Sequence, residues 1–458
     1  MHLPRTSYIL IFGLGRSGFS MARFMAAKGY TVKATDKDPA KKTLAPELHG
    51  LGIDTQIGFH DADTFVQAGA IVVSPGIPLN HPDLQQAHAA GVPLFGDLDI
   101  FNMYNKTPMV AITGTNGKTT VTTLVRDMLE ASGTSTFMGG NIGTPLVEYL
   151  LSGAPARMVV AEISSFQLDL ARDFTPDIAV LLNISPDHLD RYKGMDEYCR
   201  SKWSIFKHQT SAHTAIVNAD MTDICPARPK PASRILEFSS TPETLIHQGA
   251  KVENQTIFLN LPETGVSHPA QIDCENRVKV AGIHNLENIA AAALATLCAG
   301  GTVPGILAAV QAFNGLPHRL TFVSEIKGIQ FYNDSKATNT DAVIRALNCF
   351  TQPVVLILGG REKDTDFMLL KPALKAVRQI IAMGEAAEHI HEMFSRDFPV
   401  KRVPDMKAAV TMAHAAAKPG DVVLLSPACA SFDMFENYAA RGDAFTRHVR
   451  ELEMRSHG

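Results

Sequence analysis

The chain has 458 residues, 45% of them hydrophobic and 19% charged, with a net charge of −4. That length is too great for one core and predicts two to four domains of ordinary globular composition. The balanced charge, with no long Lys/Arg run, argues against a nucleic-acid or anionic-membrane partner. Cys199, Cys225, Cys274, Cys298, Cys349 and Cys429 stand alone with no C-x-x-C, so neither a zinc site nor a disulfide framework is expected and the cytosol is the simplest location. Tyr8–Phe12 is too short an apolar run for a signal peptide, and Asn288–Ala299 is too short to span a bilayer and reads as a buried helix. Nothing in the sequence demands an oligomer.

Short apolar strands alternate with helical patterns from end to end, the pattern of parallel α/β domains. In the first region, residues 1 to about 96, strands are expected at Tyr8–Phe12, Thr31–Thr35 and Ala70–Val73. The first runs into Gly13, Gly15 and Gly18, a G-x-G-x-x-G turn that offers backbone N–H groups and a helix N-terminus to a diphosphate. Asp36 follows the second strand where a ribose-binding acid would stand, so a dinucleotide cofactor is one reading of this region.

The second region opens near residue 97. "ITGTNGKTT" (112–120) joins a strand, Val110–Thr113, to a helix, Val121–Leu129. Gly114 and Gly117 let the loop curl its N–H groups toward phosphate oxygens, Lys118 can reach the β- and γ-phosphates, and the Thr119 hydroxyl can bind Mg²⁺. Ile112 occupies the place of the first glycine in G-x-x-x-x-G-K-[ST], but G-K-T-T between strand and helix still predicts a nucleoside triphosphate. Glu162 ends the strand of "MVVAE" and reads equally as a metal ligand or a helix cap. "SPDHLDRY" offers Asp187, His188 and Asp190, where His188 reads as a ligand or a loop histidine. Lys202 lies on an expected helix, Asp196–Lys207, and alone would be a solvated lysine. Residues 220–275 alternate weakly and read as short strands and loops of a peripheral insertion without chemistry, "PARPKPASR" (226–234) being loop. The third region begins near "GLPHRLTFV" (315–323), with strands expected at Ile329–Tyr332, Val354–Leu358, Ile380–Met383 and Val422–Leu425.

The series "GTNGKTT", "EISSFQL", "NISPDHLDRY", "YCRSK", "GIHNLENIAAA", "GLPHR", "NDSKATN" and "SPACASFD", in this order, resembles the Mur ligase family of peptidoglycan synthesis over essentially the whole chain. The resemblance implies three α/β domains in series: a Rossmann-like UDP-substrate domain (1–96), a central P-loop ATPase domain with a mostly parallel sheet (97–315) and a Rossmann-like C-terminal amino-acid domain (316–458). It reassigns the first glycine turn from NAD to the UDP diphosphate of a substrate. Gly13, Gly15, Arg16, Ser17 and Gly18 would meet the diphosphate, Asp36 and Lys37 the uridine end, and Ser74, Asn141 and His188 the rest of that substrate. Gly114, Thr115, Asn116, Gly117, Lys118, Thr119 and Thr120 would hold the ATP phosphates, with Asn288, Arg319, Asp334 and Lys336 at the other end of the nucleotide.

Two Mg²⁺ ions are implied, one on Thr119 and Glu162 and one on His188 and Lys202, the lysine as a CO₂-derived carbamate. Lys118, Glu162, His188 and Lys202 would carry the chemistry. "GGREKDTDF" (359–367) and "SPACASFD" match the members that add D-glutamate, placing Thr338, Lys363, Ser431 and Tyr438 at that amino acid; Tyr438 replaces a usual Phe. The implied reaction is ATP-dependent addition of D-glutamate to UDP-N-acetylmuramoyl-L-alanine through an acyl phosphate, in a bacterial cytoplasm, by a monomer with small-molecule substrates. The alternatives are a Mur ligase adding another amino acid, a nucleotide-sugar oxidoreductase, which leaves "GTNGKTT" without a job, and a nucleotide-driven switch.

Overall fold

A central parallel strand is covered on both faces, so its residues run apolar, and β1 (Ile9–Phe12) is buried at each position. The computed structural model describes residues 3–221, 229–261, 270–275, 278, 282–362 and 365–457. Among them, β1 joins β2 (Val32–Asp36), β3 (Asp54–Ile57), β4 (Ala70–Val73) and β5 (Leu94–Phe95) in a parallel sheet of order β3-β2-β1-β4-β5. The order reverses beside β1, and the glycine turn leaves β1 at this switch point, where α/β sheets open a crevice.

A second sheet contains β6 (Met109–Thr113), β7 (Thr136–Gly140), β8 (Met158–Glu162), β9 (Ile178–Leu181), β10 (Thr214–Asn218), β11 (Arg234–Ser239), β12 (Gly249–Glu253), β13 (Thr256–Asn260) and β14 (Ala270–Asp273). Its order is β14-β13-β12-β11-β10-β9-β6-β8-β7, antiparallel only at β12–β13 and β13–β14. The third has β15 (Thr321–Ile326), β16 (Ile329–Asn333), β17 (Val354–Gly359), β18 (Val377–Met383), β19 (Val400–Val403) and β20 (Val422–Leu425), ordered β15-β16-β20-β17-β18-β19. Only β15–β16 is antiparallel there.

The chain divides into two compact units. One takes Met1–Asn183, Asp196–Asp273 and Glu287–Val310 and holds the first two sheets; the other takes Ile184–Met195, Cys274–Leu286 and Gln311–Gly458 and holds the third. In the first, helix Arg16–Ala27 lays Met21, Phe24 and Met25 on Ile9 and Ile11, and helix Lys118–Ala131 buries Val121, Leu124, Val125 and Met128. Helix Ile283–Cys298 is buried all around over Ala290–Ala295, as its alanine run predicts. No helix among the described residues is long and apolar enough to cross a membrane.

Four expectations change. The second region's helix begins at Lys118 rather than Val121. The helix expected at Asp196–Lys207 is Met195–Trp203 followed by a 3₁₀ turn, Ser204–Phe206. In the described part of 220–275 the expected short strands are present, but rather than standing apart β11–β14 extend one end of the central sheet and bury Leu236, Phe238, Val252, Ile257, Leu259 and Ile272. The β12–β13 hairpin turns through Asn254 and Gln255, both left-handed (φ 46° and 59°) and without the usual glycine. Cys274, Cys298, Cys349 and Cys429 are free thiols, but Cys199 is disulfide-bonded, against the expectation of isolated cysteines.

The turn after β1 needs glycine at Gly13, which is left-handed (φ 91°), and at Gly18, but not at Gly15. A Cβ on Gly18 would lie 1.8 Å from the Gly13 carbonyl oxygen, whereas one on Gly15 would meet nothing within 4 Å. Gly18→Ala is therefore expected to cost about 1–3 kcal/mol in urea unfolding, and Gly15→Ala less than about 0.5 kcal/mol. Equal costs at the two positions would refute this account of the helix packing.

Candidate active site

The turn after β1 is held from below. The Leu14 N–H donates to Asp36 Oδ2 at 2.6 Å, the Asp38 N–H to Asp36 Oδ1 at 2.8 Å, and the Ser74 hydroxyl to the Gly13 carbonyl at 2.7 Å. Asp36 and Ser74 thus shape the turn. Helix Arg16–Ala27 starts at Gly15 with no side-chain cap and no acid in its first turn, which leaves its N-terminal N–H groups to an anion. Gly15, Arg16 and Lys37 are exposed and Ser17 half-buried.

The loop after β6 is clamped by β9's continuation. The Thr115 N–H donates to the Asn183 carbonyl at 2.9 Å, the Asn116 N–H to Asn183 Oδ1 at 2.8 Å, and Asn183 Nδ2 returns a bond to the Asn116 carbonyl at 3.0 Å. Lys118 Nζ donates to the Gly114 and Thr115 carbonyls, each at 2.8 Å. Lys202, 2% exposed, donates its Nζ to the same Gly114 carbonyl at 2.8 Å and lies 4.8 Å from the Tyr198 ring centre. Tyr198 in turn shares a 3.1 Å bond between its hydroxyl and that of Thr115. The solvated-lysine reading of Lys202 is excluded. Gly117 is left-handed (φ 87°), and a Cβ there would meet Asn288 Oδ1 at 2.4 Å, so Asn288 sits against the loop. Thr119 is half-buried and Thr120 buried.

Glu162 ends β8 directly across from Ile112 of β6. Its Oε1 accepts from Asn141 Nδ2 at 2.8 Å, and the Asn141 N–H donates to the Glu162 carbonyl at 2.8 Å. Asn141 therefore orients the acid. Glu162 Oε2 and Thr113 Oγ1 are buried with no hydrogen-bond partner among the described residues. Buried oxygens left unpaired beside a phosphate loop are what a hard cation needs, so this chain's residues fit Mg²⁺. No group of three His, Cys, Asp or Glu side chains among the described residues forms a metal cage by itself. That suits an ion completed by phosphates and water.

The second unit gathers the remaining expected residues in two groups. His188 is left-handed (φ 57°); its N–H donates to Asp187 Oδ1 at 2.9 Å, and Asn339 Nδ2 donates to Asp187 Oδ2 at 3.1 Å. After β16, Asp334 accepts from the Ser426 hydroxyl at 2.8 Å and the Leu320 N–H at 3.1 Å. Burial pushes its carboxyl up to about 7, against these bonds and the half-buried Arg319. Lys336 Nζ lies 3.8 Å from the centre of the Tyr438 ring, a cation–π contact. Thr338 is half-buried and Ser431 buried; Lys363 lies outside the described residues.

Three family models match: "Mur ligase MurD-like, N-terminal domain" over residues 7–96, "Mur ligase middle domain" over 112–296, and "Mur ligase, glutamate ligase domain" over 318–429. The UDP-N-acetylmuramoylalanine--D-glutamate ligase of Desulfosudis oleivorans is 42% identical across 98% of this chain and 97% of its own. The chain belongs to the Mur ligase family. A relative of the same name from Geotalea uraniireducens is 40% identical over 97% of each chain. Solved Mur ligase structures share the fold. A UDP-N-acetylmuramate-alanine ligase from Thermotoga maritima superposes with a TM-score of 0.58 at 16% identity, covering 97% of this chain and 100% of its own. MurF from Acinetobacter baumannii gives 0.59 at 16% identity, covering 97% of each.

As a Mur ligase the chain reveals residues that motif reading passed over. Asn183 clamps the phosphate loop although only its neighbours in "NISPDHLDRY" stood out, and Gln167 of "EISSFQL" donates to the half-buried Asp97 at 2.8 Å. Burial holds the Asp97 carboxyl up to about 6.

Asp334 gives this Mur ligase a pH-dependent stability. Its folded pKa lies above the unfolded value, so between about 4 and 7 the folded state holds the extra proton, and stability falls as pH rises through that window. Asp334→Asn keeps a neutral side chain at every pH. The variant's melting temperature relative to wild type is expected to rise from pH 5 to about 7 and to level off above that; a constant difference would contradict the buried, proton-holding carboxyl.

Proposed function

We propose that this Mur ligase joins D-glutamate to UDP-N-acetylmuramoyl-L-alanine at the expense of ATP, giving ADP and phosphate. The observation that carries the reading is the loop of residues 114–120. It receives two lysine ammoniums on one carbonyl, beside a buried glutamate with an unpaired oxygen. The names of near full-length relatives support the choice of amino acid. In this reading residues 1–96 bind the UDP substrate, 97–315 the ATP and 316–458 the amino acid, in a monomer of a bacterial cytoplasm.

A carboxylate is a poor acyl donor because its leaving group would be oxide. The alanyl carboxylate oxygen attacks the γ-phosphorus and ADP leaves, forming an acyl phosphate. The D-glutamate amine attacks the acyl carbon, loses a proton, and the tetrahedral adduct collapses to an amide as phosphate departs. The chain's part is mainly positioning and charge neutralisation.

Lys118 exchanges its loop carbonyls for phosphate oxygens, and the N–H groups of Asn116 to Thr120 face the same charge. Asn288, Arg319, Asp334 and Lys336 hold the nucleotide. Arg16, Ser17 and the turn at Gly13–Gly18 receive the UDP diphosphate, with Asp36, Lys37, Ser74 and Asn141 shaping that site. Thr338, Lys363, Ser431 and Tyr438 hold D-glutamate. Thr119 and Glu162 would hold one Mg²⁺, and His188 and carbamylated Lys202 a second; when bound, the ions offset phosphate charge in the transition state. The crowding at Gly114 supports the carbamate: it favours loss of a proton from Lys202, the neutral amine adds to CO₂ and releases a second proton, and a cation that repels Lys118 and metal becomes an oxygen anion that attracts both.

Phosphate release from ATP, Mg²⁺ and UDP-N-acetylmuramoyl-L-alanine is expected with D-glutamate and not with L-Glu, L-Ala, L-Lys or diaminopimelate. Release with a different amino acid would overturn the specificity, and release needing no amino acid would favour a switch ATPase. Glu162→Gln is expected to lower kcat at least about a hundredfold. Incubation with ¹³C-bicarbonate should give a carbamate carbon resonance that Lys202→Ala lacks; the same resonance in both proteins would reject the modification at Lys202.

A further inference from the structure

Arg441, in "NYAARGDAF", is 1% exposed on helix Tyr438–His457 and makes no ion pair with a carboxylate among the described residues. Its Nε donates to Ser335 Oγ at 3.0 Å, Nη2 to the Ser335 carbonyl at 2.8 Å and the Cys429 carbonyl at 3.1 Å. Nη1 donates to the Cys429 carbonyl at 3.0 Å and the Ala430 carbonyl at 3.3 Å. A guanidinium has five N–H donors, and each has an acceptor here. Burial lowers its pKa to about 10, so it stays charged at neutral pH.

Those acceptors lie in two loops far apart in sequence. Ser335 belongs to the segment after β16 that carries Asp334, Lys336 and Thr338. Cys429 and Ala430 precede Ser431 in the segment after β20. The Ser335 hydroxyl passes the connection on by donating to the Tyr438 carbonyl at 2.8 Å. Ala430 also exchanges a pair of backbone bonds, 2.9 and 3.1 Å, with Arg361 after β17. Two loops at the carboxyl ends of parallel strands thus meet on one side chain, a third is tied to them through Ala430, and none of the side chains assigned to substrate is among the acceptors of Arg441.

We propose that Arg441 is a positioning residue that locks the loops presenting Asp334, Lys336 and Thr338 to the loop presenting Ser431 and to Tyr438, so that nucleotide and amino acid are held in one geometry. The inference rests on the ligase reading for what the loops bind, and on the hydrogen bonds alone for their coupling. Lysine supplies three donors against five and methionine none, so both variants make fewer bonds to these acceptors than the guanidinium does. Ser335→Ala removes a single acceptor and leaves the arginine in place.

The test uses the full chain, as wild type, Arg441→Lys, Arg441→Met and Ser335→Ala. Peptide-resolved hydrogen–deuterium exchange without substrate is expected to rise together in residues 334–338 and 427–431, with β17 unchanged. In kinetics, KM for D-glutamate and for ATP should each rise at least about tenfold in Arg441→Lys, and KM for UDP-N-acetylmuramoyl-L-alanine should stay within about twofold. Ser335→Ala should show the same pattern more weakly.

A merely structural role would lower kcat and melting temperature while leaving all three KM values in place, and that result overturns the proposal, as does exchange confined to one loop. A wild type that turns over without D-glutamate would fail the ligase reading. The exchange result then decides the coupling by itself, joint release upholding it and separate or absent release rejecting it.

Discussion

The Gly114 carbonyl accepts hydrogen bonds from two lysines, Lys118 and Lys202, each at 2.8 Å. Two ammoniums on one oxygen are only a few ångströms apart, and at an effective dielectric near 20 their repulsion is on the order of 3–4 kcal/mol. The rest of the first unit's site holds the loop still against that repulsion. Asn183 clamps it from one side, Tyr198 pins Thr115, and Asn288 closes against Gly117. A loop so braced favours an anion over any neutral ligand, and a triphosphate is the anion its N–H groups and helix terminus fit.

The same crowding explains why Lys202 could not be understood from its helix alone. "DEYCRSKW" has the charge pattern of a solvated helix, yet Tyr198, Cys199, Ser201 and Lys202 are buried. Burial of a lysine is set by what lies across from it, here a loop 88 residues earlier in sequence. Glu162 was legible as a strand-end acid, but the choice between ligand and cap needed its oxygens: Asn141 takes one, and the other has no partner among the described residues.

The sheets show where pattern reading holds and where it stops. Central strands such as β1, β6, β8 and β17 are continuous apolar runs and stand out. The strands not singled out as β3, β5, β7, β15 and β19 lie at sheet edges, where one side is unpaired and polar residues are tolerated. The interior β10, "TAIVN", was passed over because it is short and follows a polar turn. β11 is parallel to both its neighbours, and β12 to β14 form the antiparallel end of the sheet, where polar residues such as Glu253, Asn260 and Asp273 face solvent. Asp36 and Ser74 read as ligand contacts from their positions, and their hydrogen bonds to the backbone after β1 show that they also shape the turn. Arg441 gave no signal at all, since an arginine in a helix is ordinarily surface charge.

Both units fasten loops at the carboxyl ends of parallel strands by directing cations at backbone carbonyls, but they use different cations for a physical reason. Lysine makes few bonds through a rotatable head, so Lys118 can leave its carbonyls for a phosphate and return as the charge at the site changes. Arginine is planar with five directed donors, and Arg441 has spent them all. It has nothing left to offer a substrate and no low-cost second arrangement. A site that must accept and release a triphosphate needs movable charge at the phosphates. One that must aim an amine at a short-lived acyl phosphate needs fixed geometry behind it, and a saturated buried guanidinium supplies that.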